Sequence, residues 1–252
     1  MIKSPDIKST TIKIAPSILA GNFADIGGEL RKAQEGGADM VHVDVMDGHF
    51  VDNLTIGPPV VEAIRRATTL PLDVHLMIQE PAKYMNSFLN AGADNVTVHL
   101  ESFATPHALK RLEKGYTITF LGGQLVDFDR LNALVDLVHS KKRQISVALN
   151  PDTMVEIMEG LPERLNMVLI MTVWPGFGGQ SFMAECVEKV RKLRQAFPSL
   201  DIQVDGGITR ETVGEAARAG ANVFVAGTAT YGAPDFGGAV RELRELAGKA
   251  AG

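Results

Sequence analysis

Apolar residues along the chain fall into eight short runs, separated by stretches with helical spacing. The runs are Ile12–Ile18, Met40–Val45, Leu72–Met77, Asn95–Leu100, Gln144–Leu149, Met167–Val173, Leu200–Val204 and Asn222–Ala226. They carry apolar residues on both faces, as parallel strands covered by helices do. Amphipathic segments lie between them: Phe23–Gln34, Pro58–Ala67, Ala82–Leu89, Cys186–Phe197 and Thr212–Ala219. Several of these stop where a helix needs a left-handed terminator, at Glu35-Gly-Gly-Ala, Asn90-Ala-Gly-Ala and Arg218-Ala-Gly-Ala, and each stop leads straight into a strand. Repeated strand–helix units in one stretch predict an α/β fold, a single (β/α)8 TIM barrel over residues 12–252. The competing open doubly wound sheet needs a Gly-rich dinucleotide turn after its first strand. None follows Ile18.

The interval between the fourth and fifth runs is the longest. Phe128–Lys141 reads as a helix directly before the fifth strand and is expected to be the fourth barrel helix. Residues 102–127 are therefore expected to be an insertion after strand four, in a loop that opens on the catalytic face of a barrel. Within it, Pro106–Lys114 has the spacing of a short amphipathic helix, and Tyr116–Leu121 is apolar and β-branched. Such a segment is an aggregation hazard in water. It is expected to be buried, over the barrel mouth or in a subunit interface; the interface is preferred, because a lid must expose itself repeatedly. A homo-oligomer is the matching expectation. Residues 1–11 are polar and are read as a flexible N-terminal arm.

Composition narrows the function classes. With 252 residues, 45% hydrophobic and 22% charged, the chain can bury a large core. Its formal charge of −5 gives no basic footprint for nucleic acid. Cys186 is the only cysteine, which excludes an intrachain disulfide and suits a reducing compartment. It sits in a helical pattern as a small buried side chain. No apolar run approaches the roughly 18 residues that would cross a bilayer, and residues 1–11 lack the apolar core of a signal peptide. A cytoplasmic protein without membrane contact is expected.

The candidate chemistry begins at Met40-Val-His-Val-Asp-Val-Met-Asp-Gly-His49. Alternation puts His42, Asp44 and Met46 on one strand face. Leu72-Asp-Val-His-Leu-Met77 repeats the arrangement with Asp73, His75 and Met77. Buried imidazoles and carboxylates persist only when paired, hydrogen-bonded or bound to metal. Two adjacent strands of this kind read as one site. Strand seven ends in Asp205 followed by Gly206-Gly207, and strand six runs into Trp174-Pro-Gly-Phe-Gly-Gly-Gln180. Together with Ala226-Gly-Thr-Ala229, these turns present backbone N–H groups in the corner where barrels bind phosphate.

The set Pro16-Ser-Ile-Leu19, HVDVMDGHF (42–50), DVHLM (73–77), MTVWPGFGGQSF (171–182), VDGGI (204–208) and VAGTA (225–229) resembles the ribulose-phosphate 3-epimerase family of ketose-phosphate 3-epimerases. The resemblance implies one divalent metal ion on His42, Asp44, His75 and Asp205, with Zn²⁺ first and Fe²⁺, Mn²⁺ or Co²⁺ as alternatives. It implies Asp44 and Asp205 as the acid/base pair. Ser17 and His75 would contact the substrate, and Met46, Met77 and Met171 would line the pocket. Gly176, Phe177, Gly178, Gly179, Gly206, Gly207, Gly227 and Thr228 would surround the phosphate. The implied reaction inverts C3 of a ketose phosphate, ribulose 5-phosphate to xylulose 5-phosphate first, with allulose 6-phosphate as the alternative. Three residues depart from the family pattern: Asp52 where Pro is usual, Trp174 where a smaller or polar residue is usual, and Thr228 for Ser.

Elementary chemistry agrees with that assignment. Inverting a carbon α to a ketone takes two acid/base groups on opposite faces of an enediolate, and strands two and seven are expected across the barrel from one another. A metal would stabilise the charge that develops on the substrate oxygens. A sugar-phosphate lyase or decarboxylase would need a lysine at a strand end, and the inner faces offer none. A non-catalytic phosphate sensor is the third reading, and intact Asp44 and Asp205 weigh against it. Of the other histidines, His49 is read as loop structure, His99 as a core pair with Glu101, and His107 and His139 as surface positions.

Overall fold

The computed structural model describes residues 11–119, 123–158 and 160–252. Most of the expected arm and the end of the Tyr116–Leu121 segment lie outside those residues. The barrel strands are β1 (Lys13–Pro16), β2 (Val41–Met46), β3 (Leu72–Met77) and β4 (Asn95–His99), then β7 (Gln144–Leu149), β8 (Met167–Met171), β9 (Asp201–Asp205) and β10 (Val223–Ala226). Between β4 and β7 lie two more strands, β5 (Leu109–Leu112) and β6 (Gly115–Ile118). The barrel strands form one parallel eight-stranded sheet in the order β1-β10-β9-β8-β7-β4-β3-β2. Its two ends meet through a parallel bridge between Ser17 and His42, which closes the cylinder. Around it β2 and β9 are three strands apart, one step short of diametric.

β2, β3, β4, β8 and β10 are buried along their whole length. The valines and isoleucines that face outward from the strands, such as Val43, Val74 and Val96, meet the apolar stripes of the helices, such as Val61 and Ile64 or Leu131 and Val135. At roughly 1.5–3 kcal/mol per fully buried aliphatic side chain, this layer supplies the main drive for folding. The helices are α1 (Ile26–Glu35), α2 (Pro58–Ala67), α3 (Pro81–Asn90), α4 (Phe128–Ser140), α5 (Val187–Ala196), α6 (Val213–Arg218), α7 (Thr228–Tyr231) and α8 (Phe236–Ala251). Asp25, Asp127 and Asp235 cap α1, α4 and α8 by accepting from the backbone N–H three residues on. The glycine stops are left-handed at Gly37, Gly92 and Gly220. After β7 the wall is built from 3-10 turns at Val155–Met158 and Pro162–Arg164 rather than a long helix. Pro162 lacks the N–H that a continuous helix would need.

The region between β4 and α4 corrects one expectation. Pro106–Lys114 is not a helix: β5 and β6 form an antiparallel hairpin, with Leu109 opposite Ile118 and Arg111 opposite Tyr116. Ala108, Leu109 and Leu112 fit a helical stripe, but the β-branched Tyr116-Thr-Ile118 segment offers a pairing strand, and pairing wins.

Candidate active site

Alternation along β2 and β3 aims His42, Asp44, His75 and the side chains beyond them into the barrel, and Asp205 reaches the same point from the end of β9. One ligand atom from each of His42, Asp44, His75 and Asp205 lies within 4.8 Å of the others. His42 Nε2 is 3.2 Å from Asp44 Oδ1 and 3.8 Å from Asp205 Oδ2. His75 Nδ1 stands at the same two distances from the same two oxygens. The two carboxylates therefore converge on both imidazoles.

The surroundings hold this geometry. His42 Nδ1–H donates to Asp73 Oδ2 at 2.8 Å. Asp73 also accepts from Gln203 Nε2 at 2.7 Å and Asn95 Nδ2 at 2.7 Å. With Nδ1 committed, Nε2 of His42 faces the cluster, and this buried atom has no hydrogen-bond partner among the described residues. Ser17 Oγ donates to Asp44 Oδ2 at 2.6 Å. Thr55 Oγ1 donates to the Asp44 carbonyl and accepts from Met46 N, fixing the end of β2.

Electrostatics point the same way. Burial alone would lower the pKa of His42, yet the carboxylates of Asp44 and Asp73 hold it well above 6.5. Burial also opposes ionisation of Asp44, but His42 and His75 outweigh it and keep its pKa far below the usual carboxylate range. Asp205 moves in the opposite direction, to about 7, because burial and the neighbouring Asp44 charge both disfavour its ionised form. Burial lowers the pKa of His75 and of His99. A buried, orphaned imidazole nitrogen beside converging carboxylates fits a divalent cation.

Above the cluster opens a cavity of about 410 Å³. Ser17, Asp44, Asp205, Met46, Met77 and Met171 line its floor; the three methionines are almost fully buried. Gly176, Phe177, Gly178, Gly179, Gly206, Gly207, Gly227 and Thr228 line its rim. Gly206 and Gly207 have positive φ, and a Cβ at Gly206 would come within 2.4 Å of Val173 Cγ2. The main chain thus approaches the cavity as only glycine allows. Asn53 Nδ2 donates to the Gly176 carbonyl at 2.6 Å, joining the loop after β2 to the glycine-rich loop.

All the residues singled out from sequence reach this one place: His42 and His75 lie under the carboxylates and the rest line the cavity. Sequence reasoning assigned no role to Asp73, Gln203 or Asn53. Asp73 lay on the correct face of β3, but its partners come from strands whose register the chain order does not reveal. His99, read as a core pair with Glu101, also reaches the site: its Nε2 is 2.8 Å from His75 Nε2. Two of the departures from the family pattern meet the β5–β6 hairpin. Asp52 pairs with Arg111 at 2.9 Å, and Trp174 lies so close to Gly115 that a Cβ there would come within 2.9 Å of its ring. Tyr116 of the hairpin stacks on Phe50 with ring centroids 5.6 Å apart.

The model of the ribulose-phosphate 3 epimerase family matches residues 13–119 and 116–231. The chain belongs to that family. The two matched segments meet inside the β5–β6 hairpin. The chain is 43% identical to a ribulose-phosphate 3-epimerase of Bacillus subtilis, over 92% of this chain and 98% of the relative. It is 42% identical to the cytoplasmic isoform of ribulose-phosphate 3-epimerase from Oryza sativa, over 92% of this chain and 93% of the relative. Family membership makes the protein an isomerase-type enzyme. Its fold is also similar to the solved 3-hexulose-6-phosphate synthase of Salmonella typhimurium, with a TM-score of 0.64, 16% identity, and coverage of 95% of this chain and all of that one. At that identity the likeness concerns the barrel alone. Among the described residues no helix is long and apolar enough to cross a membrane.

Proposed function

We propose that this protein is a metal-dependent 3-epimerase of ketose phosphates, interconverting ribulose 5-phosphate and xylulose 5-phosphate. The observation that carries the reading is the His42–Asp44–His75–Asp205 cluster under a cavity rimmed by glycine-rich turns. When bound by these four residues, a divalent ion would polarise the substrate oxygens and stabilise the negative charge that develops on them. Zn²⁺ suits two imidazoles and two carboxylates best, with Fe²⁺, Mn²⁺ and Co²⁺ as alternatives.

The chain's own residues divide the remaining work. Without an ion, the histidines keep Asp44 ionised, while burial and the Asp44 charge raise Asp205 to about 7. Environments that push two carboxyl groups apart assign an acid and a base. Asp44 takes the C3 proton on one face, and the electron pair of that C–H bond moves into the enediolate. Asp205 returns a proton to C3 on the other face, completing the inversion. The carboxyl groups then have exchanged protonation states, ready for the reverse reaction. Ser17 fixes the Asp44 carboxylate through Oδ2. Met46, Met77 and Met171 keep the floor free of competing water. Backbone N–H groups of the turns at Gly176–Gly179, Gly206–Gly207 and Gly227–Thr228 hold the phosphate.

A homo-oligomer and a cytoplasmic setting belong to the same proposal. The exposed side chains of Leu54 and Phe177 near the barrel mouth support the first, and the single reduced Cys186 supports the second. Assay of the metal-loaded protein against ribulose 5-phosphate, xylulose 5-phosphate and allulose 6-phosphate tests the substrate. Preference for the hexulose phosphate would replace the pentulose reading, and turnover of none would leave a binding protein.

A further inference from the structure

His99 and Glu101 are buried at the end of β4 and just after it, and the reaction outlined above does not use them. His99 Nε2 lies 2.8 Å from His75 Nε2, and the two rings are stacked with centroids 5.0 Å apart. On its other side His99 Nδ1 is 3.4 Å from Glu101 Oε2. Glu101 is anchored through its other oxygen, which accepts from Asn150 N at 2.9 Å and from Thr153 Oγ1. Glu101 Oε2 and His99 Nδ1 face each other as buried polar atoms, and neither has a closer hydrogen-bond partner of standard geometry among the described residues.

Two nitrogens of facing imidazoles form a hydrogen bond only if one carries hydrogen and the other a lone pair. The carboxylate decides which. Glu101 Oε2 accepts and does not donate, so His99 places its hydrogen on Nδ1 and leaves the Nε2 lone pair toward His75. His75 must then donate from Nε2. Its Nδ1 lone pair is left pointing between Asp44 and Asp205. The opposite tautomers would place bare His99 Nδ1 against a carboxylate and put a hydrogen on His75 Nδ1, inside the cluster.

From this we infer that Glu101 and His99 are positioning residues, a relay that fixes His75 in the tautomer able to bind a cation through Nδ1. The relay parallels the Asp73–His42 pair on the other imidazole, with one more ring inserted. Partners of this kind typically change metal affinity by about 10–100-fold when lost. The inference rests on the proposed metal site.

The test measures Zn²⁺ affinity by competition with a chelating dye and reads imidazole tautomers by ¹⁵N spectroscopy of the zinc-loaded protein. Zinc-loaded wild type should show His99 protonated on Nδ1 and His75 on Nε2. His99→Leu should weaken Zn²⁺ binding by about 10–100-fold. His99→Gln, whose amide oxygen can accept from His75 Nε2, should recover most of the loss. Glu101→Gln presents an amide N–H to His99 Nδ1, turns the relay around, and should weaken binding as well. Should His99→Leu fail to fold, the tautomers of wild type and the affinity of Glu101→Gln still decide. Protonation of His99 on Nε2 in the zinc-loaded protein overturns the relay, as does an affinity within threefold of wild type in His99→Leu and Glu101→Gln. Wild type that binds no Zn²⁺ overturns the metal reading itself, a separate outcome.

Discussion

Asp44 and Asp205 face the same two imidazole nitrogens, yet the site drives their ionisation in opposite directions. His42 and His75 lie at 3.2 Å from Asp44 but at 3.8 Å from Asp205, and Asp205 also faces the Asp44 charge. Without a cation, Asp205 therefore holds its proton to about pH 7, whereas an unfolded aspartate releases it near 4. At this group the folded chain binds more protons than the unfolded chain across that window. Stability from this group is full below about pH 4 and is lost as the pH rises toward 7. In chelator-stripped protein, Asp205→Asn should thus gain stability relative to wild type between pH 5 and pH 8, read by urea unfolding at both values. An equal difference at the two pH values would refute the assignment.

The two-base reading makes a sharper demand on catalysis. Asp44→Asn and Asp205→Asn should each lower kcat by about 10²–10⁴-fold or more, the scale of a positioned proton-transfer group. Both should keep the barrel, since the strands beneath them are fixed by main-chain pairing and Asp73. In heavy water the active enzyme should place deuterium at C3 of the ketose phosphate and at no other carbon. Near-normal turnover by either variant, with metal content checked, would sink the mechanism.

Ion content is the third expectation. Elemental analysis should find about one divalent ion per chain, and a chelator should remove it with loss of activity that the ion restores. Asp73→Leu strips the acceptor from His42 Nδ1 and should weaken that ion about 10–100-fold. Full activity in verified metal-free protein would end the metal reading.

Much of this site was legible because a strand has a period of two. His42 with Asp44, and His75 with Met77, had to share faces once β2 and β3 were recognised. The glycine runs gave the phosphate corner because few other residues permit such close main-chain approach. What escaped depends on pairing between segments. His99 and Glu101 are two apart and were read together, but the contact of His99 with His75 follows from β3–β4 register, in which His75 lies beside Thr97. The β5–β6 hairpin departs from the expected helix for the same reason: Ala108, Leu109 and Leu112 suit either period, and the partner strand decides.

Cys186 offers a simple check of packing. Burial pushes its thiol to about 11, and the side chain is 1% exposed. Thiolate is the reactive form, so iodoacetamide should leave the native protein unlabelled at pH 7.5 and alkylate it fully in denaturant. Rapid labelling of the native protein would mean that the start of α5 opens far more often than its packing implies.

The last prediction concerns the β5–β6 hairpin, where the family match divides and where Asp52 and Trp174 find their contacts. Thr117 and Ile118 are buried within this single chain, so these two side chains leave water without a second subunit. Tyr116 packs beside Met46, Phe50 and Met77, and its carbonyl accepts from Asn150 Nδ2 at 2.7 Å. These contacts, rather than the exposed Arg111–Asp52 pair, fasten the hairpin, because surface ion pairs contribute little. We expect Asp52→Pro to be nearly neutral. Replacing residues 109–118 by a short Gly/Ser connector removes the support of Trp174, which lines the cavity. It should raise KM for the sugar phosphate more than it lowers kcat, with the mass in solution unchanged. A fall in that mass with KM intact would place the hairpin in a subunit interface instead, and sedimentation run beside the kinetics separates the two outcomes.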